Sequence, residues 1–139
     1  MMIVDSSAIL AILLREPDGR GVYRAIERCD SLVAPALLPY EVTNGLRAAV
    51  SRRRLETSDM EQCVRLFLGY PWAFDIQSSS DRVLRIARLA AAHELSIYDA
   101  AYLELCVRQA KPLVTLDTNL RKAARAEHMQ VLPKSTAKG

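Results

Sequence analysis

Four acidic residues, Asp5, Glu41, Asp99 and Asp117, stand where their type and placing could do chemistry. Asp5 directly follows the apolar pair Ile3-Val4, and Asp117 follows Leu113-Val114-Thr115-Leu116, so each ends a segment patterned like a buried strand. Glu41 shares i, i+4 spacing with Leu37, Gly45 and Ala49, on a helical face that is otherwise directed at the core. Asp99 falls in the first turn of a helix, within Ser96-Ile97-Tyr98-Asp99-Ala100-Ala101-Tyr102. Singly, each has an ordinary explanation: a helix N-cap for Asp5 and Asp117, a dipole-compatible acid for Asp99, and an arginine-paired acid for Glu41. Together, two acids at strand ends and two on helices packed against that edge could converge into a cluster of four negative charges. Hard cations hold such a cluster, and carboxylate oxygens with retained water are what Mg²⁺ or Mn²⁺ prefers. The chemistry this suits is metal-assisted hydrolysis of a phosphate ester. The cation would bind a phosphate oxygen, make a water acidic enough to attack, and neutralise the leaving alkoxide.

The elements that must position these acids follow from periodicity and punctuation. Ile3-Val4 leads through Asp5 into a helix from Ala8 to Leu14, which Pro17-Asp18-Gly19 stops. A second helix over Gly21 to Cys29 precedes the strand-like Ser31-Leu32-Val33-Ala34, and a long helix from Ala36 to Arg54 carries Pro39 in its first turn. Helices are predicted over Thr57 to Leu68, Arg82 to His93 and Ile97 to Gln109. A strand near Ala73 to Ile76 follows the Gly69-Tyr70-Pro71-Trp72 break. After the strand Leu113 to Leu116, Thr118-Asn119 can cap a last helix to Glu127, and Gln130 to Leu132 forms the fifth strand. Five short strands separated by helices make an α/β fold around a central, mainly parallel sheet. In such sheets ligands sit beyond the carboxyl ends of the strands, where strand order reverses, and that is where Asp5 and Asp117 stand.

Composition bounds the rest. A chain of 139 residues, half of them hydrophobic and a quarter charged, suits one domain over residues 1–133 with a short flexible tail at 134–139. The longest uncharged stretch is Ser31 to Tyr40, too short to span a membrane. No signal-peptide pattern opens the chain, so a soluble, cytoplasmic protein is expected. Cys29, Cys63 and Cys106 match no zinc spacing, and their odd number argues for reduced thiols. Of the 19 cations 15 are Arg, and residues 119 to 139 carry a local balance of +4 against −1 for the remainder. With the four acids assigned to metal, 12 acids face 19 cations, and the surface outside the site is basic enough to hold an RNA backbone. Arg52-Arg53-Arg54 and the group Arg121, Lys122 and Arg125 are the candidates, and Tyr98 and Trp72 could stack bases.

Four segments also resemble, in order and across nearly the whole chain, the PIN-domain nucleases and in particular the VapC-type toxins of prokaryotic toxin–antitoxin pairs. They are Met2-Ile3-Val4-Asp5-Ser6-Ser7-Ala8, Pro39-Tyr40-Glu41-Val42, Leu95-Ser96-Ile97-Tyr98-Asp99-Ala100-Ala101-Tyr102 and Leu113-Val114-Thr115-Leu116-Asp117. The resemblance implies a PIN-like three-layer sandwich with Asp5, Glu41, Asp99 and Asp117 as the metal-binding acids. It implies Ser6 as the small hydroxyl residue after the first acid, and Thr115 and Asn119 as polar support around the last. It further implies a Mg²⁺- or Mn²⁺-dependent endoribonuclease leaving a 5′-phosphate and a 3′-hydroxyl. Its partners would be an RNA substrate, a second copy in a homodimer and a VapB-like antitoxin whose C-terminal segment lies across the active-site groove.

Three other readings compete. A phosphoaspartyl hydrolase wants a second Asp two residues after the first, where this chain has Ser7, and a response-regulator receiver wants acidic neighbours that Asp5 lacks. No glycine-rich phosphate loop is present. A catalytically silent module of the same fold, binding RNA or a partner, differs in that binding would survive loss of the acids.

Overall fold

The computed structural model of the chain describes residues 1–137. Its centre is β1 (Met2–Val4), with Ile3 and Val4 fully buried. On one side β1 pairs with β2 (Leu32–Pro35), which pairs with β3 (Trp72–Asp75); on the other it pairs with β4 (Leu113–Val114), which pairs with β5 (Val131–Leu132). All four pairings are parallel, so the sheet runs β3-β2-β1-β4-β5 with no antiparallel edge. Strand order therefore reverses between β1 and β4. There Ile3 stands opposite Leu113 and Val4 opposite Val114, so the residues just beyond, Asp5 and Thr115, emerge side by side.

Parallel strands need crossovers, and these are helical. Right-handed crossovers place the helices of the first two connections on one face and those of the last two on the other. On the first face α1 (Ser6–Leu13) packs against α2 (Gly19–Ile26), α3 (Leu38–Ser51) and α4 (Thr57–Leu68). On the second α6 (Ile97–Gln109) packs against α5 (Ser80–His93), α7 (Thr118–Ala126) and strands β1 and β2. The result is three layers, with Ile3, Ile9, Leu32, Leu46, Phe67, Leu103 and Leu113 in one continuous core. At Gly45 a side chain would meet Leu10 Cδ1 at 2.5 Å, so the absence of a Cβ lets α3 lie directly on α1. Glu41 is one turn earlier on that helix.

The ends of the elements differ from expectation for local reasons. Helix α1 starts at Ser6 rather than Ala8, because the Asp5 side chain accepts the Ala8 N–H and caps it from β1. Asp117, rather than Thr118-Asn119, caps α7 through its bond from the Leu120 N–H. Strand β4 ends at Val114, two residues early, since beyond it the Thr115 carbonyl is taken by the Arg121 guanidinium. That guanidinium is buried and also donates to the Pro133 carbonyl, so Arg121 holds the chain past β5 in place and is removed from the expected phosphate-binding group. Within the expected tail, the Ala137 N–H donates to Asp18 Oδ1 at 2.8 Å, and residues 138–139 lie outside the described residues. The three cysteines are free, with Cys63 and Cys106 buried. No helix among the described residues is long and apolar enough to cross a membrane.

A charged cluster locks the second helical layer to the sheet edge. Asp75, ending β3, accepts from Arg82 of α5 and Arg108 of α6, and Glu104 accepts from Arg108 and Arg85. Glu104 is 3% exposed, as buried as Asp5.

Candidate active site

Asp5 and Asp117 sit at the carboxyl ends of β1 and β4, and Glu41 and Asp99 in the first turns of α3 and α6, whose N-termini open on the same edge of the sheet. A web of hydroxyls ties the two strand ends together. Thr115, fully buried, donates to Asp5 Oδ2 at 2.7 Å, and its oxygen accepts the Asp117 N–H at 3.1 Å. Ser7 donates to Asp5 Oδ1 at 2.7 Å and accepts the Leu116 N–H at 3.0 Å. Asp5 thus receives three hydrogen bonds, from Ser7, Thr115 and the Ala8 N–H. The cap reading of Asp5 and Asp117 holds, and because one oxygen of each accepts the cap bond, the cap leaves the other oxygen for a different partner.

The other two acids are held from helices. The Glu41 carboxylate accepts a 2.6 Å hydrogen bond from the hydroxyl of Tyr102, whose ring is buried in α6 one turn after Asp99. The Asp99 N–H donates to Ser96 Oγ, the N-cap of α6.

Electrostatics links the acids through Asp99, whose charge acts on Asp5 and Glu41 and which is itself acted on by Asp117. Burial raises the Asp5 carboxyl to about 7; the bonds from Thr115, Ser7 and the Ala8 N–H oppose this, and the charge of Asp99 adds to it. Burial also raises Glu41, with the Tyr102 hydrogen bond opposing and Asp99 adding. Asp99 is raised by burial and then by Asp117. Tyr102 is pushed far up, first by burial and then by its bond to Glu41 and the charges of Glu41, Asp5 and Asp99. The site is a field of negative charge in a partly dry setting.

What opposes this field decides its chemistry. Glu104, equally buried, is matched by two guanidinium groups, as a structural carboxylate should be. None of the ion pairs among the described residues includes Asp5, Glu41, Asp99 or Asp117. Their hydrogen-bond donors are hydroxyls and backbone N–H groups, all neutral. Such donors orient a carboxylate and leave its charge in place. As the side chains lie, no three or more metal-ligating groups among the described residues surround a single ion position. What the four share is one edge of the sheet and a chain of repulsion, with Asp99 acting on Asp5 and Glu41 and Asp117 acting on Asp99. The donor set, oxygens only and anionic, is the kind that Mg²⁺ or Mn²⁺ takes.

Comparison with known proteins agrees with this architecture. The family model described as "PIN domain" matches residues 2–126. The chain belongs to the PIN-domain family. Among PIN-domain relatives, "Ribonuclease VapC3" of Pyrobaculum aerophilum is 29% identical over 119 residues, 86% of this chain and 91% of the relative. "Ribonuclease VapC9" of Mycobacterium tuberculosis is 29% identical over 128 residues, covering 91% and 94%. The crystal structure of PAE2754 from Pyrobaculum aerophilum superposes on this PIN domain with a TM-score of 0.69 at 22% identity. It covers 94% of this chain and 90% of that one, and so shares the fold.

Ser6 and Asn119 stand apart from the hydrogen-bonded web. The hydroxyl on Asp5 is that of Ser7, while Ser6 opens α1 and Asn119 lies exposed in α7 beside a cleft formed with His93, Glu94 and Lys122. Thr115 lies at the centre of the web. Sequence reasoning missed Ser7 and Tyr102. Each had a signal in its spacing: Ser7 is two residues past an N-cap Asp, where its hydroxyl can turn back, and Tyr102 is one helical turn past Asp99.

Proposed function

We propose that this PIN-domain protein is a Mg²⁺- or Mn²⁺-dependent endoribonuclease that hydrolyses RNA phosphodiester bonds and acts as the toxin of a VapBC-type pair. The observation that carries the reading is the contrast between Glu104, which has two arginines, and the four site acids, which have none among the described residues. Four carboxylates linked by repulsion through Asp99 stand without a cationic side chain where folding alone would favour neutral residues, and a divalent cation is the partner that would make them favourable. The metal, when bound, supplies Lewis acidity toward the phosphate and an acidified water. Asp5, Glu41, Asp99 and Asp117 hold it, while Thr115 and Ser7 fix the orientation of Asp5. Ser6 and Asn119 are kept as supporting residues on the family resemblance alone.

Arg52 and Arg53, exposed at the end of α3, and Lys122 and Arg125 on α7 remain free to meet phosphates once Arg121 is set aside. The names of the relatives support RNA as the substrate. On the same footing the protein works in the cytoplasm as a homodimer, silenced by a VapB-like antitoxin, with residues 1–133 as its PIN domain. A small open reading frame with a DNA-binding N-terminus immediately beside this one is the expected genomic sign.

The test is cleavage of total RNA by purified protein with Mg²⁺, with Mn²⁺ and with EDTA, in the wild type and in Asp5→Asn and Asp99→Asn. Cutting that requires the ion and disappears in both variants, with 5′-phosphate ends, is expected. Equal cutting in EDTA, or at the wild-type rate in either variant, refutes the metal site. RNA binding without cleavage, unaffected by the variants, would favour a silent binding module.

A further inference from the structure

Glu41 is the one site acid whose carboxylate is gripped by a single large side chain from another layer of the fold. It projects from α3, on the first helical layer, and Tyr102 reaches it from α6, on the second. Tyr102 is 1% exposed, so its ring is fixed by the core and its hydroxyl arrives at Glu41 in a set position. The same helix turn carries Asp99. One rigid element therefore supplies one site acid directly and orients another.

The chemical identity of the donor matters as much as its place. An Arg or Lys at this position would pair with Glu41, cancel its charge and compete with any cation. A phenol donates one hydrogen bond to Oε1 and leaves both the charge and Oε2 available. Elsewhere in the same molecule, at Asp75 and Glu104, carboxylates with no role in the site are given guanidinium partners. The chain uses two kinds of partner for two kinds of acid.

We infer that Tyr102 is a positioning residue for the metal site: its hydroxyl holds Glu41 across the interlayer gap in the orientation that binds the cation, without neutralising it. The assignment rests on the metal-dependent reading proposed above. Partners that orient a metal-binding carboxylate commonly change affinity by about 10- to 100-fold when removed.

Tyr102→Phe deletes the hydroxyl and keeps the ring that packs the core. Mn²⁺ is titrated calorimetrically at low temperature into apo wild type, Tyr102→Phe, Glu41→Gln and the double variant, and the rate of RNA cleavage is followed against Mn²⁺ concentration. The expected result is a Mn²⁺ midpoint raised about 10-fold or more in Tyr102→Phe by both readouts, with the rate at saturating Mn²⁺ within about threefold of wild type. In the Glu41→Gln background, Tyr102→Phe shifts the midpoint less than about twofold, because the residue through which it acts has been changed. A wild-type midpoint in Tyr102→Phe overturns the assignment alone, and so does an equal loss in both backgrounds, which would mark a packing effect. A wild type indifferent to Mn²⁺ and active in EDTA overturns the parent reading and this assignment with it.

Discussion

If Asp5 is kept charged for a cation, the apo protein must be less stable for it, and removing the charge should stabilise the fold. Burial raises the Asp5 carboxyl from 3.8 to about 7. A carboxyl raised on folding favours the native state fully only below its unfolded value. Stability is lost as pH climbs from about 4 to 7, and the loss is constant above that. The full loss is about 4 kcal/mol, at about 1.4 kcal/mol for each unit of pKa. Asp5→Asn removes it at the expense of hydrogen bonds, because an amide offers Thr115 or Ser7 a donor where an acceptor stood, at about 1 kcal/mol for each bond weakened. In EDTA at pH 8 the variant should therefore be more stable by about 2–3 kcal/mol, depending on whether the amide nitrogen faces Ser7 and the Ala8 N–H or Thr115, measured by urea unfolding. At pH 5 most of the charge cost is absent from the wild type as well, and the gain should shrink by about 3 kcal/mol, becoming neutral or slightly unfavourable. Added Mn²⁺ should reverse the order at pH 8 by stabilising the wild type alone. A gain of the same size at both pH values would mean that charge is not its source. A loss at pH 8 would mean that the hydroxyl web outweighs desolvation, and the argument from unneutralised charge would fail.

Three further outcomes follow from the same geometry. Thr115→Val keeps the buried shape but cuts the link between Asp5 and the Asp117 N–H, and should lower stability by about 1–3 kcal/mol while reducing cleavage at least 10-fold; stability is read by thermal melting and cleavage by initial rates. Glu104→Gln keeps one acceptor oxygen but removes the charge that Arg85 and Arg108 face, leaving Arg85 without an anionic partner and Arg108 with Asp75 as its anion. It should cost about 2–4 kcal/mol in unfolding while leaving the RNA cleavage rate within about twofold, and a large loss of rate would place Glu104 in the site. Tyr98 is 64% exposed beside Asp99, so if it stacks on a base, Tyr98→Ala should raise KM about 10-fold with kcat little changed while Tyr98→Phe matches wild type.

The layered fold was legible because its signals are periodic and local. Helices at Thr57–Leu68 and Ile97–Gln109 have the bounds that their patterns suggest, and the five apolar runs are the five strands. The sheet is wholly rather than mainly parallel, as the helical crossovers require. What the sequence conceals is the use made of polar atoms. Asp5 and Asp117 cap helices, which shifts the start of α1 and the cap of α7 by one or two residues, and Arg121 is drawn inside by the carbonyls of Thr115 and Pro133. An arginine in a basic helical stretch carries no mark of burial, because its partners are backbone oxygens. Ser7 was passed over for Ser6 for a similar reason: adjacent serines differ in role only once the turn after Asp5 sends one hydroxyl back toward β4.

The contrast between the two kinds of carboxylate also shows where some of the charges behind the net +3 are spent. Arginine dominates the cations, and several guanidinium groups are committed to structure: Arg82, Arg85 and Arg108 to the Asp75–Glu104 cluster, and Arg121 to backbone carbonyls. Among the described residues none of them pairs with an acid of the crevice between β1 and β4, although Arg121 touches it at the Thr115 carbonyl. A single arginine there would lower the acids' carboxyl pKa values and stabilise the apo fold by reducing their mutual repulsion. The same pairing would weaken divalent-cation binding, since the carboxylates would already be neutralised. The four acids thus have hydroxyl and backbone N–H partners where stability alone would favour guanidinium groups, and on the proposed metal-dependent reading the stability given up in the apo protein would become cation affinity in the loaded one.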